Sequence, residues 1–240
     1  MSFLIAIERG PLYLVSMTEF PESLLEGYRN FRGGRFVRER ERYERLATTG
    51  QKPTTMVIAC CDSRAAPETI FNSLPGEIFV MRNVANLVPP YTPEDNDTHH
   101  ATSAALEFAV QSLKVTNIIV LGHGRCGGVA AALDPDLEPL SPGDFIGRWM
   151  DLLKPVATMV DGHKSACGAE SHTVLERLSV CNSLTNLRSF PCVSILEKKQ
   201  RLKLHGAWFD ISTGELWLLD EDAKIDETKQ LAHERFKLVV

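Results

Sequence analysis

The sequence predicts an α/β fold: a mostly parallel sheet with helices packed against it. Three observations carry the prediction. First, short continuous apolar runs end in polar or otherwise special residues. Residues 56–59 run into Cys60, 78–81 into Arg82-Asn83, and 118–121 into Gly122-His123. Runs of this kind fit strands covered on both faces, as in parallel sheets. Second, segments with helical spacing lie between them, and strand–helix–strand alternation calls for right-handed crossovers. Third, no Gly/Ser-rich or Pro-rich linker divides the 240 residues, so 1–240 reads as one domain.

In chain order, residues 1–16 are mildly apolar, but Glu8 and Arg9 interrupt the only stretch resembling a secretory h-region. The chain reads as cytoplasmic, with Met17 an alternative start to Met1. Residues 21–48 form an N-terminal helical arm, with Leu24, Leu25, Tyr28 and Phe31, then Phe36 and Tyr43, at helical spacing. Gly33-Gly34 splits it into two helices, and the charges from Arg35 to Arg45 read as a solvated face. Residues 100–113 form the clearest later helix, with Ala105, Leu106, Ala109, Val110 and Leu113 on one side. The stretch 134–144 holds three prolines and is a loop. Helices follow at 144–161 and 168–188, and a fourth strand at 203–211. Gly214 marks a hairpin turn into 216–219, an antiparallel strand at the sheet's edge. Residues 228–238 read as a closing helix.

Composition excludes several classes. A formal charge of −5 argues against a general nucleic-acid binder, which needs a basic surface. Charged residues are 24% of the chain, near the globular average, which argues against wholesale disorder. No apolar run approaches the roughly 18–20 residues that span a bilayer. Six cysteines in a chain this well supplied with core residues read as metal or catalytic chemistry rather than a disulfide framework.

The chemistry concentrates at two strand ends. In α/β sheets ligands gather at the carboxyl ends of the strands. One end carries Cys60-Cys61-Asp62-Ser63-Arg64, the other His123-Gly124-Arg125-Cys126. If those strands are neighbours, two thiolates and an imidazole converge. That set suits zinc and leaves a fourth position for a carboxylate or water, the pattern of a catalytic site. Cys61 follows Cys60 along a strand, so its side chain points the other way, leaving Cys60, His123 and Cys126 as the ligands. Asp62 has two homes, on the metal as a fourth ligand or on Arg64 through a bidentate pair that keeps it ionised.

Cys-x-Asp-Ser-Arg at 60–64, Pro-Gly-Glu at 75–77, Arg-Asn-Val-Ala-Asn at 82–86 and Gly-His-x-x-Cys-Gly-Gly at 122–128 together resemble the β-class carbonic anhydrases. The likeness extends more loosely from 51 to 211. It implies a carbonate dehydratase with one zinc per chain that interconverts CO2 and bicarbonate. It implies a four-stranded parallel sheet with a fifth strand added, in a homodimer or a dimer of dimers. Carried over residue by residue, Cys60, His123 and Cys126 bind zinc, and Asp62, held by Arg64, orients a zinc-bound hydroxide. Gln51, Phe79 and Val84 match the substrate pocket of the plant-like, open-site enzymes, and Phe108 stands where those usually have tyrosine. A second kind of family site holds non-catalytic bicarbonate with a tryptophan and a tyrosine. Val57 and Phe209 occupy those positions here, so no such site is expected, and Asp62 is expected on Arg64. Two alternatives share the zinc site: a hydrolase of a CO2 analogue such as carbonyl sulfide or carbon disulfide, and a non-catalytic bicarbonate-binding module. The intact Asp62 and Arg64 argue against the second.

Other signals read blandly. Gly122-x-Gly124-x-x-Gly127 matches a dinucleotide fingerprint, but no second strand with a terminal acid follows, and Gly127 and Gly128 serve close packing at a helix start. His99-His100 mark a helix start. Cys167, Cys181 and Cys192 are small core residues. His205 is a hydrogen-bonded structural histidine, and Trp149, Trp208 and Trp217 are core or interface residues. His163, His172 and His233 carry no signal.

Overall fold

The structure, a computed structural model, describes residues 20–93, 100–134, 136, 138–161, 171–220 and 235–239. Residues 1–16, Met17, His99, His163, Cys167 and His233 lie outside them. The chain divides into two compact units, Met1–Gly50 and Gln51–Val240. In the first, helices α1 (Glu22–Gly33) and α2 (Arg35–Thr49) meet at Gly34, matching the break expected at Gly33-Gly34. Phe31 and Tyr43 each pack a ring against Phe36, at centroid distances of 5.8 and 5.2 Å. No residue of either helix is buried.

The second unit is built on one six-stranded sheet, with β1 (Thr55–Cys60), β2 (Ile78–Asn83), β3 (Asn117–His123), β4 (Lys203–Phe209), β5 (Leu216–Leu219) and β6 (Phe236–Leu238) in the order β2-β1-β3-β4-β5-β6. The first four are parallel and the last two antiparallel. The helices are α3 (Pro67–Ile70), α4 (His100–Glu107), α5 (Gly127–Leu133), α6 (Phe145–Met150), α7 (Lys154–Asp161), α8 (Ser171–Ser189) and α9 (Pro191–Lys198).

Side chains alternate across β1. Met56 and Ile58 enter one cluster with Ile118, Val120, Val180 and Leu184. Val57 and Ala59 enter another with Leu121 and Ala207. Both faces are therefore covered, which is why these strands are continuously apolar.

The closing segment corrects the expectation of a helix over 228–238. Residues 236–238 are a strand, and 228–234 lie outside the described residues. Three residues can pair as a strand without any helical contribution, and here tertiary contacts decide. β6 takes up the free backbone edge of β5, with Asp220 N–H donating to Arg235 O and Val239 N–H to Leu216 O. Phe236 is buried under the Arg177 guanidinium, and Lys237 pairs with Asp220. β5 is antiparallel as expected, but β6, not β5, forms the edge.

Two expected helices are also interrupted. After α4 the chain continues as a π-turn over Phe108–Leu113 and ends on Lys114 in the left-handed region (φ 58°). The helix expected over 144–161 is split into α6, a 3₁₀ turn at Asp151–Leu153, and α7. Pro155 explains the restart: it has no N–H to continue a helix, and it is tolerated only in the first turn of a new one.

α8 lies unusually close to the sheet. A Cβ on Gly122 would stand 2.7 Å from Val180 Cγ2, and one on Gly206 3.0 Å from Val180 Cγ1. Gly122→Ala is therefore expected to lower stability by about 1–3 kcal/mol through overpacking, read from urea unfolding. Adding Val180→Ala should recover part of the loss. An unchanged midpoint in Gly122→Ala would mean that α8 gives way freely.

Candidate metal centre

β1 and β3 are parallel neighbours, so their carboxyl ends emerge side by side. Cys60 is the last residue of β1 and His123 the last of β3. After His123 the chain turns through Arg125, in the left-handed region at φ 57°, and delivers Cys126 as the cap of α5. The Cys60 and Cys126 sulfurs and a ring nitrogen of His123 all lie within 4.8 Å of one another, and the three residues are buried. The two sulfurs are 4.0 Å apart. This group could hold a metal ion.

The surroundings prepare each donor. His123 Nδ1 lies 2.9 Å from Gly124 O, which can only accept, so Nδ1 carries the hydrogen and Nε2 keeps its lone pair. That Nε2 is buried with no hydrogen-bond partner among the described residues. The Ala85 N–H donates to Cys60 Sγ at 3.3 Å, from a residue held at φ 63°. The contact between the two sulfurs draws the Cys60 thiol down to about 4, while the same contact and burial push Cys126 up. Burial pushes His123 down, but the Cys60 thiolate and the Gly124 carbonyl outweigh it, and the net shift is upward.

Asp62 sits beside this group in the fork of Arg64. Arg64 Nε donates to Oδ1 at 2.9 Å and Nη2 to Oδ2 at 2.7 Å, and the Arg64 backbone N–H adds 2.9 Å to Oδ1. The guanidinium holds the Asp62 carboxyl well below the usual carboxylate range. Arg64 Nη2 also reaches Arg125 O at 3.2 Å, so one side chain ties the two strand-end loops together. Cys61, just past the end of β1, is exposed.

The Arg-Asn-Val-Ala-Asn segment supplies scaffold roles that reading the motif did not reveal. Arg82 donates to Cys60 O at 2.8 Å and to Asp62 O at 2.7 Å, fixing the loop that carries both. Asn83 closes the turn over Val84–Asn86 by bonding both polar groups of the Leu87 backbone. Gly128 lets α5 pass close by, since a Cβ there would stand 2.8 Å from Val84 Cγ1, whereas Gly127 faces open space and needs no such account.

The residues matched to a substrate pocket are not all brought to this point within the chain. Val84 is partly exposed next to Ala85, with its carbonyl bonded by Trp149 Nε1 at 2.8 Å. Phe79 pairs with Met56, four rows before the Cys60 level, or about 13 Å along the strand at roughly 3.3 Å per residue. Its ring packs on Phe108, 5.8 Å between centroids, and Phe108 is 48% exposed. Gln51 is exposed just before β1. Val57 is fully buried in the core, and Phe209 packs on the same cluster. Cys181 and Cys192 pack against the main core, and His205 Nε2 lies 3.1 Å from Asn117 Oδ1.

Sequence reading missed Glu176. It is almost fully buried on α8, and its carboxylate accepts the Cys126 backbone N–H. Its neighbours His172 and Trp208, read as silent and as core, are its other partners. No local signal marks a single glutamate in a long helix.

A family model described as carbonic anhydrase matches residues 55–216, spanning every element that builds the centre. Beta carbonic anhydrase 3 of Arabidopsis thaliana is 35% identical over 204 residues, 83% of this chain and 77% of that protein. The chain belongs to the β-carbonic anhydrase family. A carbonic anhydrase of Pseudomonas aeruginosa is 34% identical over 197 residues, covering 82% of this chain and 86% of that protein. A β-carbonic anhydrase from Sordaria macrospora, described as tetrameric, superposes with a TM-score of 0.70 at 30% identity, covering 82% of this chain and 95% of that one. As a member of this family the chain is an enzyme, a carbonic anhydrase. No helix among the described residues is long and apolar enough to cross a membrane.

Proposed function

We propose that this chain catalyses the reversible hydration of CO2 to bicarbonate and a proton, with one zinc ion held by Cys60, His123 and Cys126. The observation that carries the reading is the buried two-sulfur, one-nitrogen group with the Arg64-clamped Asp62 beside it. The donor set fits zinc. Two sulfurs each about 2.3 Å from a tetrahedral zinc stand about 3.8 Å apart, against 4.0 Å here, and His123 Nε2 is buried without a partner. When bound, zinc supplies the acidity that makes water a nucleophile near neutral pH.

The chain's own residues do the rest. Asp62 is an acceptor only, because Arg64 keeps it ionised. Oδ1 already takes two hydrogen bonds from Arg64 and Oδ2 takes one, so Oδ2 keeps a lone pair for the reacting water. Asp62 thereby orients that water toward CO2.

A homodimer or a dimer of dimers completes the pocket in this reading. Phe79, Phe108 and Gln51 stand toward the amino ends of the strands, away from their own chain's ligands. A second copy would supply the equivalent apolar wall.

Stopped-flow CO2 hydration from about pH 6.5 to 9, with zinc and molar mass measured on the same sample, tests the proposal. One zinc per chain, turnover rising smoothly with pH, no separate bicarbonate inhibition site and a mass of at least a dimer are expected. Zinc without CO2 turnover at any pH would overturn it, and sulfide release from carbonyl sulfide would then identify the CO2-analogue hydrolase.

A further inference from the structure

α8 passes behind the metal centre and carries a carboxyl group into the core. Glu176 is 1% exposed. Its Oε1 accepts the Cys126 backbone N–H at 3.0 Å and lies 3.0 Å from His172 Nδ1, and its Oε2 accepts Trp208 Nε1–H at 3.0 Å. The peptide N–H and the indole N–H can only donate, and each reaches a different oxygen. A carboxylate meets both with an oxygen, whereas a glutamine would turn its own NH2 toward one of them. Burial pushes the Glu176 carboxyl up, and the bonds from Cys126 and Trp208 oppose that shift.

The carboxylate is itself held rigidly. Trp208 stacks on the Arg177 guanidinium at 4.6 Å, and the same guanidinium lies 4.7 Å from the Trp217 ring. α8 is locked to β3 and β4 where Val180 meets Gly122 and Gly206. On the other side of the bond, Cys126 is the cap residue of α5, and its sulfur lies 4.0 Å from that of Cys60. The loop between His123 and Cys126 is then pinned at three backbone points, Gly124 N–H on Phe209 O at 2.8 Å, Arg125 O on Arg64 Nη2 at 3.2 Å and Cys126 N–H on Glu176.

We infer that Glu176 is a positioning residue of the metal centre: through the Cys126 N–H it fixes the orientation of the Cys126 sulfur relative to His123. This rests on Cys126 being a metal ligand, and wild-type protein that binds no zinc would sink that reading first. A merely structural carboxylate would affect folding stability and leave the metal's properties alone. The test uses the full chain loaded with zinc or with cobalt(II), whose thiolate charge-transfer band reports ligand geometry. Glu176→Gln is expected to weaken zinc binding about 10–100-fold in chelator competition and to shift the cobalt–thiolate band. Adding Trp208→Phe removes the facing donor and should restore most of the affinity. Wild-type affinity and an unshifted band in folded Glu176→Gln would overturn the inference, as would a loss that Trp208→Phe does not relieve. If Glu176→Gln does not fold, His172→Ala removes the ring nitrogen 3.0 Å from the same oxygen at a part-exposed site. A shifted cobalt band there supports the inference, and an unshifted one overturns it.

Discussion

His123→Ala is expected to leave the chain without bound zinc after dialysis and with CO2 hydration at the uncatalysed background. His123 supplies the one nitrogen of the group, aimed by its Nδ1–H bond to Gly124 O, and its Nε2 has no other partner among the described residues. Without it, two sulfurs 4.0 Å apart are what remains of the group. The loss should exceed the roughly 10–100-fold that removing an outer partner costs, because a ligand itself is gone. The variant should also melt earlier than the zinc-loaded wild type and close to the metal-free wild type, since metal binding to the folded chain alone stabilises it. Atomic emission, stopped flow and thermal unfolding read the three effects. Stoichiometric zinc in His123→Ala would overturn the assignment of ligands.

Asp62→Asn is expected to do the reverse, keeping one zinc per chain while losing about 10²–10⁴ in turnover, the range a positioned proton-handling group contributes. Asparagine offers one oxygen where the carboxylate offered two. Either way round its NH2 meets an Arg64 donor, and in the place of Oδ2 it faces the reacting water as well. Arg64→Lys should fall between, since a point charge cannot reproduce the two parallel bonds of 2.9 and 2.7 Å. The pH dependence separates orientation from ionisation. Arg64 depresses the folded-state pKa of Asp62, so the pair's contribution to stability is full above the unfolded value of about 3.9. It is lost only as pH falls through the depressed folded value. Between about pH 6.5 and 9, Asp62 therefore stays ionised in the wild type. Arg64→Ala relaxes it only toward about 3.9, still outside that window. Arg64→Ala should thus lower the turnover curve without adding an inflection; a new inflection inside the window would show that Asp62 titrates during the reaction. Unchanged turnover in Asp62→Asn would remove Asp62 from the mechanism.

The centre was legible because the information that makes it is local. Cys60 and His123 each end an apolar run, and two such runs become neighbours in a parallel sheet, so the strand ends bring these two together and the turn after His123 adds Cys126. Asp62 and Arg64 are two residues apart and close their own ring of bonds. What could not be read depends on long-range meetings. Glu176 lies 50 residues from Cys126 and 32 from Trp208, on a helix whose buried positions run almost all round it, so no amphipathic pattern singles it out. β6 is three residues long, too short for a period to register, and it exists because β5 offers an open edge and Arg177 a seat for Phe236. The break at Pro155 and the start of α9 at Pro191 had signals in the sequence, a proline suited to a first turn in each case.

The interlock of Val180 with Gly122 and Gly206 limits how this centre can be moved or remodelled. The segment from Gly122 to Cys126 looks like a self-contained cassette, yet its front depends on a helix surface and its far end on a carboxylate one turn earlier in that same helix. Grafting the cassette alone into a relative would replace a fitted surface with an arbitrary one. A working chimera has to carry residues 176–180 and the strand of Trp208 along with it, so the unit of exchange is three segments distant in sequence rather than one loop.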